Sequence, residues 1–110
     1  MNVQPRIKVW LEDGRGRYLL GPGAARLLAA VDEHGNLKQA AKRTGYSYRA
    51  AWNRLKRIEA ALGDRIISAS AGGAGGGRSR LTRVGSDLLA MFRELEERSR
   101  RLLDEPEKRA

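Results

Sequence analysis

The stretch that most constrains the fold is NLKQAAKRTGYSYRAAWNRLKRIEAALG, residues 36–63. Asn36 has the side chain of a helix cap, and the residues at about 37–43 follow it without a breaker. Gly45 turns the chain, Ser47 caps a second helix over about 48–62, and Gly63 ends it. In that second helix Ala51, Leu55, Ile58 and Leu62 fall at i, i+4, i+7 and i+11, one apolar stripe. Ala40 and Ala41 give the first helix small side chains at its middle, where a partner helix can cross closely. Two short helices joined by a tight turn containing glycine read as a helix-turn-helix; the competing reading is an ordinary αα-hairpin with a polar surface.

Charge placement separates the two. The chain has 110 residues and a net charge of +9. From Lys38 to Arg83 there are eleven bases and only two acids, Glu59 and Asp64, so this segment carries the whole excess and the remainder is neutral. Concentration of positive charge on one segment is the electrostatic footprint of a polyanion partner. The second helix alone offers Arg49, Arg54, Lys56 and Arg57 against Glu59.

The flanking segments complete a small domain. RIKVWLEDGRGRYLLG alternates about a turn: Ile7, Val9 and Leu11 share one strand face, Asp13 to Gly16 turn, and Tyr18 to Leu20 return. Pro22 opens a helix with Ala24, Leu27, Leu28 and Val31 as its stripe, closed by His34 and Gly35. His34 then sits at a helix C-terminus, near the negative end of the dipole, rather than in a reactive site. From Thr82, another cap, a last helix carries Val84, Leu88, Met91 or Phe92, Leu95 and Leu102 at intervals of three to four residues, and runs to about Leu103. Its length of roughly 30 Å exceeds what a small domain needs, which predicts a dimerisation helix. The expected dimerisation residues are Leu88, Phe92, Leu95 and Leu102; intrachain packing is the alternative.

Between these helices lies SASAGGAGGGRSRLTRVG, in which five of the six residues from 72 to 77 are glycine. A phosphate-binding P-loop requires Lys followed by Ser or Thr after its last glycine, and here Arg78-Ser79 follows instead. A dinucleotide fingerprint fails because Arg78 stands where its third glycine would be. A linker fails because too little chain follows to form a second domain. The remaining reading is a β-hairpin wing, with Ile66 to Ser68 and Arg80 to Thr82 as its strands and glycines at its tip. Arg78 and Arg80 are then placed to meet phosphates or enter a minor groove.

The other classes find little support. With no cysteine and one histidine, thiolate and His-rich metal sites are not expected, and no nucleophile or acid–base constellation can be assembled. The N-terminus lacks the apolar core of a signal peptide, and no apolar run approaches a membrane span. A cytoplasmic protein, not an enzyme, without cofactor or metal, is the expectation.

The segment HGNLKQAAKRTGYSYRAAWNRLKRIEAALG, followed by GGAGGGRSRLTRVGSDLLAMF, resembles the N-terminal DNA-binding domain of ModE-type molybdate-responsive transcriptional regulators. That family carries S-Y-[KR]-x-A-W in its recognition helix, here Ser47 to Trp52, and L-T-x-x-G after a glycine-rich wing, here Leu81 to Gly85. The resemblance covers about residues 20–103. The helix pair is more loosely similar to that of LysR-type regulators. The resemblance implies DNA binding and dimerisation. It does not extend to the molybdate-binding β-barrel domains of the full-length regulators, so molybdate binding by this chain is not expected.

The combined expectation is a mainly α chain with small β content: a winged helix-turn-helix with an N-terminal β-hairpin and a C-terminal dimerisation helix. One domain would span residues 1–103, including the dimerisation helix at 83–103, with 104–110 as a flexible tail. It would bind double-stranded DNA as a homodimer and regulate transcription; the alternative from another class is a protein-interaction module on the same scaffold. Ser47, Tyr48, Arg49 and Asn53 are the base-edge candidates, with Arg49 suited to guanine and Asn53 to adenine. Lys38, Gln39, Lys42, Arg54 and Arg57 are phosphate candidates, and Arg78 and Arg80 belong to the wing. Trp52 lies beside the core stripe by phase, and core packing is the favoured reading for it.

Overall fold

The computed structural model describes residues 1–70 and 77–104. In chain order the elements are β1 (Leu11–Glu12), β2 (Tyr18–Leu20), α1 (Pro22–His34), α2 (Leu37–Thr44), α3 (Tyr48–Leu62), β3 (Ile67–Ser70), β4 (Arg78–Leu81) and α4 (Arg83–Leu103). All of the expected glycine wing tip at 72–77 except Gly77, and most of the expected flexible tail, from 105 on, lie outside the described residues.

Local chemistry sets the helix ends. The side chains of Asn36, Ser47 and Thr82 each accept a backbone N–H from the first turn of α2, α3 and α4, donated by Gln39, Ala50 and Gly85. Gly35, Gly45 and Gly63 close α1, α2 and α3 with φ of 65°, 82° and 72°, a left-handed conformation that suits glycine. The core gathers Leu27, Leu28 and Val31 of α1, Ala40 and Ala41 of α2, Ala51, Leu55 and Ile58 of α3, Ile66, and Leu89 and Phe92 of α4. Ala40, Ala41 and Ala51 are wholly or almost wholly buried, so the small side chains mark the close approach of the helix pair.

The N-terminal hairpin is shorter than expected. β1 pairs antiparallel with β2 through Leu11 opposite Leu20, with an irregularity beyond Leu11. The residues before Leu11 have no strand partner because β2 stops where Gly21 and Pro22 open α1, and Pro22 has no N–H to donate. Ile7 is exposed and Val9 half-buried instead of sharing a paired strand face with Leu11. The turn itself is built by Asp13. Its carboxylate accepts the backbone N–H groups of Arg15 and Arg17 and the Nε of Arg17, at 2.8, 3.0 and 2.8 Å. The bond from the Arg17 amide above all holds the Asp13 carboxyl below the usual carboxylate range.

The wing strands also shift from their expected limits. β3 and β4 pair with Ile67 opposite Leu81, Ser68 opposite Arg80, Ala69 opposite Ser79 and Ser70 opposite Arg78. Ile66 is withdrawn from the strand because three elements clasp it. The Glu59 carboxylate accepts its N–H at 2.9 Å, and its carbonyl accepts the Thr82 N–H at 2.9 Å. A Cβ on Gly85 would lie 2.2 Å from that carbonyl oxygen, so the first turn of α4 approaches at a distance only glycine permits.

Candidate nucleic-acid interface

α3 is the centre of the candidate site. Ala51, Leu55 and Ile58 seat one side of it in the core, and Leu62 is half-buried at its end. Ser47 is committed to capping, its Oγ accepting the Ala50 N–H at 3.1 Å. Tyr48, Arg49 and Asn53 are exposed on the first turns and line one shallow groove of about 380 Å³. The fourth residue of that groove is Trp52, 42% exposed. Core packing, the favoured reading for Trp52, is therefore wrong. At its phase the core is already filled by Ala51 and Leu55, and the indole turns outward. Its ring is covered by Lys56, whose Nζ lies 4.5 Å from the ring centroid.

The phosphate candidates divide. Lys38, Gln39 and Lys42 are exposed on α2, away from its buried Leu37, Ala40 and Ala41. Arg57 is exposed on α3, whereas Arg54 is half-buried and presents less of itself. Lys56 is engaged by Glu59, Nζ to Oε1 at 3.1 Å. Burial pushes the Glu59 carboxyl up, but bonds from the Ile66 N–H, Lys56 and the Ile67 N–H outweigh it and hold the group below its ordinary value.

The wing strands present two different faces. Arg78 and Arg80 are exposed, and their cross-strand partners Ser70 and Ser68 are exposed with them, forming a ladder of two guanidinium groups and two hydroxyls. Sequence reading assigned the arginines but missed the serines as their companions, which required the strand register. Ser79, by contrast, faces inward and is buried, and its N–H donates to the Gly35 carbonyl at 2.9 Å. The base of β4 is thereby fastened to the end of α1. Arg78 and Arg80 border a separate groove with Asp32, Glu33 and His34.

The dimerisation set also divides. Phe92, expected at an interface, is 1% exposed and belongs to the core, in phase with Gly85 and Leu89. Leu88 is half-buried and packs against that core. Met91, Leu95 and Leu102 are exposed on another face of α4. Leu95 and Leu102 share a surface groove with Ile7, Val9 and Trp10, so part of the N-terminal segment already lies beside them in the same chain. The charges of α4 pair along its own surface, as in Arg98 with Glu94 at 2.8 Å and Arg100 with Glu97. No helix among the described residues is long and apolar enough to cross a membrane.

A helix-turn-helix whose second helix exposes polar and basic residues, followed by a two-stranded wing with outward arginines, defines a winged helix-turn-helix DNA-binding fold. The chain belongs to the bacterial regulatory helix-turn-helix proteins of the lysR family, whose family model matches residues 23–86. It is similar to the molybdenum-pterin-binding protein MopA of Rhodobacter capsulatus, 34% identical over 87% of this chain and 36% of that protein. It is also similar to the molybdenum transport protein ModE of Herbaspirillum seropedicae, 38% identical over 74% of this chain and 30% of that protein. The DNA-binding transcriptional dual regulator ModE of Escherichia coli K12 is 31% identical over 64% of this chain and 27% of its own length. The chain thus spans about a third of the length of the curated relatives it matches. Among solved structures, the DNA-binding domain of CbnR in complex with DNA aligns with a TM-score of 0.57 and 27% identity over 77% of this chain and 92% of that one. ArgP from Mycobacterium tuberculosis has the same fold, with a TM-score of 0.60 and 24% identity over 78% of this chain and 30% of that one. The match is to the N-terminal, DNA-binding type of module found in ModE regulators, in agreement with the resemblance read from Ser47–Trp52 and Leu81–Gly85.

Proposed function

We propose that this chain is a sequence-specific, double-stranded DNA-binding transcriptional regulator of the ModE N-terminal type, acting as a homodimer. The observation that carries the reading is the first half of α3, where Tyr48, Arg49 and Asn53 share an exposed groove above a helix fixed by Ala51, Leu55 and Ile58. A recognition helix enters the major groove with its N-terminal residues toward base edges. Arg49 suits a bidentate bond to guanine and Asn53 one to adenine. Lys38, Gln39, Lys42 and Arg57 are exposed for phosphate contacts, with Arg54 contributing less. On the wing, Arg78 and Arg80 with Ser68 and Ser70 offer charge and hydroxyl donors to the backbone beside that groove.

The dimer reading rests on Met91 and Leu95, 56% and 39% exposed on α4, with Leu102 further along. A symmetric partner would bury this apolar face and align two recognition helices on a two-fold site. The protein acts without catalysis, in the bacterial cytoplasm where its DNA lies. Its DNA binding is independent of molybdate. A tetrahedral dianion needs donors converging in a closed pocket, and Lys38, Lys42, Arg57, Arg78, Arg80, Ser68 and Ser70 stand on open faces suited to a phosphate backbone.

Fluorescence anisotropy with duplexes selected from a random pool tests the reading. If about six phosphates are neutralised, log affinity falls with log salt with a slope near −5. An affinity independent of salt overturns DNA binding by this face. Addition of molybdate or tungstate is expected to leave affinity unchanged; a saturable shift at micromolar oxyanion overturns the molybdate-independent reading alone.

A further inference from the structure

We propose that Trp52 reads the 5-methyl group of a thymine in the major groove, with Lys56 as its positioning residue. The inference rests on the DNA-binding reading above and deepens it. Trp52 is 42% exposed although it lies in the most basic segment of the chain, and it stands one turn after Tyr48, itself 53% exposed. With Arg49 and Asn53 these two aromatic side chains line one groove, so apolar surface and base-reading donors occur together. Among the base edges displayed in the major groove, the thymine methyl is the apolar feature. An indole beside a guanidinium and an amide therefore fits a step in which a thymine neighbours a hydrogen-bonded base.

The indole is also held in place. Lys56 Nζ sits 4.5 Å from its ring centroid and 3.1 Å from the Glu59 carboxylate. Glu59 Oε2 accepts the N–H groups of Ile66 and Ile67 at 2.9 and 3.3 Å. This chain of contacts ties the indole to the base of the wing. It covers one ring face and leaves the rest of the indole to the groove. A side chain ordered before binding loses less conformational freedom on contact. Lys56, spent on Trp52 and Glu59, is thereby assigned to orientation rather than to a phosphate.

The test begins with duplexes selected by the wild-type chain from a random pool. Each thymine of the best-bound duplex is replaced in turn by uracil, which removes only the methyl group. At one or two positions wild-type affinity is expected to fall about fourfold, the worth of one buried methyl group. Trp52→Gln is expected to bind thymine and uracil duplexes equally and to melt as the wild type does. Lys56→Met is expected to reduce the methyl discrimination, and Lys56→Arg to restore it by returning a cation to the ring. Equal wild-type affinity for thymine and uracil at every position overturns the proposal, as does an undiminished uracil loss in Trp52→Gln. A pool in which no sequence enriches overturns the DNA-reading function itself, whereas enrichment without a methyl-dependent position overturns only the role of Trp52.

Discussion

The side-chain amide of Asn36 donates to the carbonyl of Gly77 at 2.8 Å, across a separation of 41 residues. Its oxygen accepts the Gln39 N–H at 2.9 Å. One side chain therefore caps α2 and fastens the start of β4, beside the bond from the Ser79 N–H to the Gly35 carbonyl. Asn36→Asp keeps an acceptor for the cap and loses the donor to the wing, at a cost of about 0.5–1.5 kcal/mol. Asn36→Ala loses both functions and costs roughly 1 kcal/mol more. Urea unfolding checks this order, and faster hydrogen exchange at the Ser79 amide in Asn36→Asp is the local signature. Equal stability of Asp and wild type would mean that the wing bond contributes nothing.

Gly85 is expected to tolerate no side chain. A Cβ there would meet the Ile66 carbonyl oxygen at 2.2 Å, a backbone atom with no rotamer to change. Gly85→Ala therefore forces α4 away from the wing base and lowers stability by about 1–3 kcal/mol. Gly14→Ala, with nothing within 4 Å of the added carbon, is the matched control and stays close to wild type in thermal melting.

Glu59 makes stability pH-dependent in a defined direction. Its carboxyl is held below the ordinary glutamate value when folded, because the Ile66, Lys56 and Ile67 bonds outweigh burial. A depressed folded value means that its contribution is fully present above the unfolded pKa and is lost as pH falls through the lower folded one. Glu59→Gln lacks this titration. The melting advantage of wild type over Glu59→Gln should shrink on going from about pH 5 to about pH 3, while the other carboxyls cancel in the comparison. A difference that stays constant over that range would remove Glu59 from the acid response.

On DNA, Arg49 and Arg57 should separate. Arg49→Ala is expected to lose about 1–3 kcal/mol of discrimination for the selected sequence, and Arg57→Ala to weaken selected and random duplexes alike. Arg78→Ala combined with Arg80→Ala should leave melting unchanged, because both side chains are exposed, and should reduce affinity for DNA. Identical behaviour of Arg49→Ala and Arg57→Ala across sequences would erase the division between base and phosphate contacts.

The two apolar faces of α4 have opposite expected phenotypes. Met91→Glu with Leu95→Glu places charge on exposed positions and should shift sedimentation equilibrium from dimer to monomer with the fold retained. Phe92→Ala empties a wholly buried site and should cost about 3–5 kcal/mol of stability. A wild-type chain that is monomeric at micromolar concentration would defeat the dimer.

The limits of α1 at Pro22–His34, of α3 at Tyr48–Leu62 and of α4 at Arg83–Leu103 were legible in the chain, as were the caps Asn36, Ser47 and Thr82. Caps, left-handed glycines and a single apolar stripe act over one or two turns, so neighbouring residues suffice to specify them. The basic segment and the groove residues Tyr48, Arg49 and Asn53 were legible for the same reason: they are what the stripe of α3 leaves outside. Tertiary structure decided the rest. α4 has two apolar faces, and periodicity cannot say which one packs inward; the close passage of Gly85 over the Ile66 carbonyl sets its rotation, burying Phe92 and exposing Met91. The outward turn of Trp52 depends on Lys56 and Glu59, and Glu59 in turn on the amides of Ile66 and Ile67. The bond from Asn36 to Gly77, and the pairing that sets Ser68 and Ser70 beside Arg80 and Arg78, join residues far apart in the chain. Such contacts exist only once the segments are packed, because their partners are chosen by shape and distance in space rather than by spacing along the sequence.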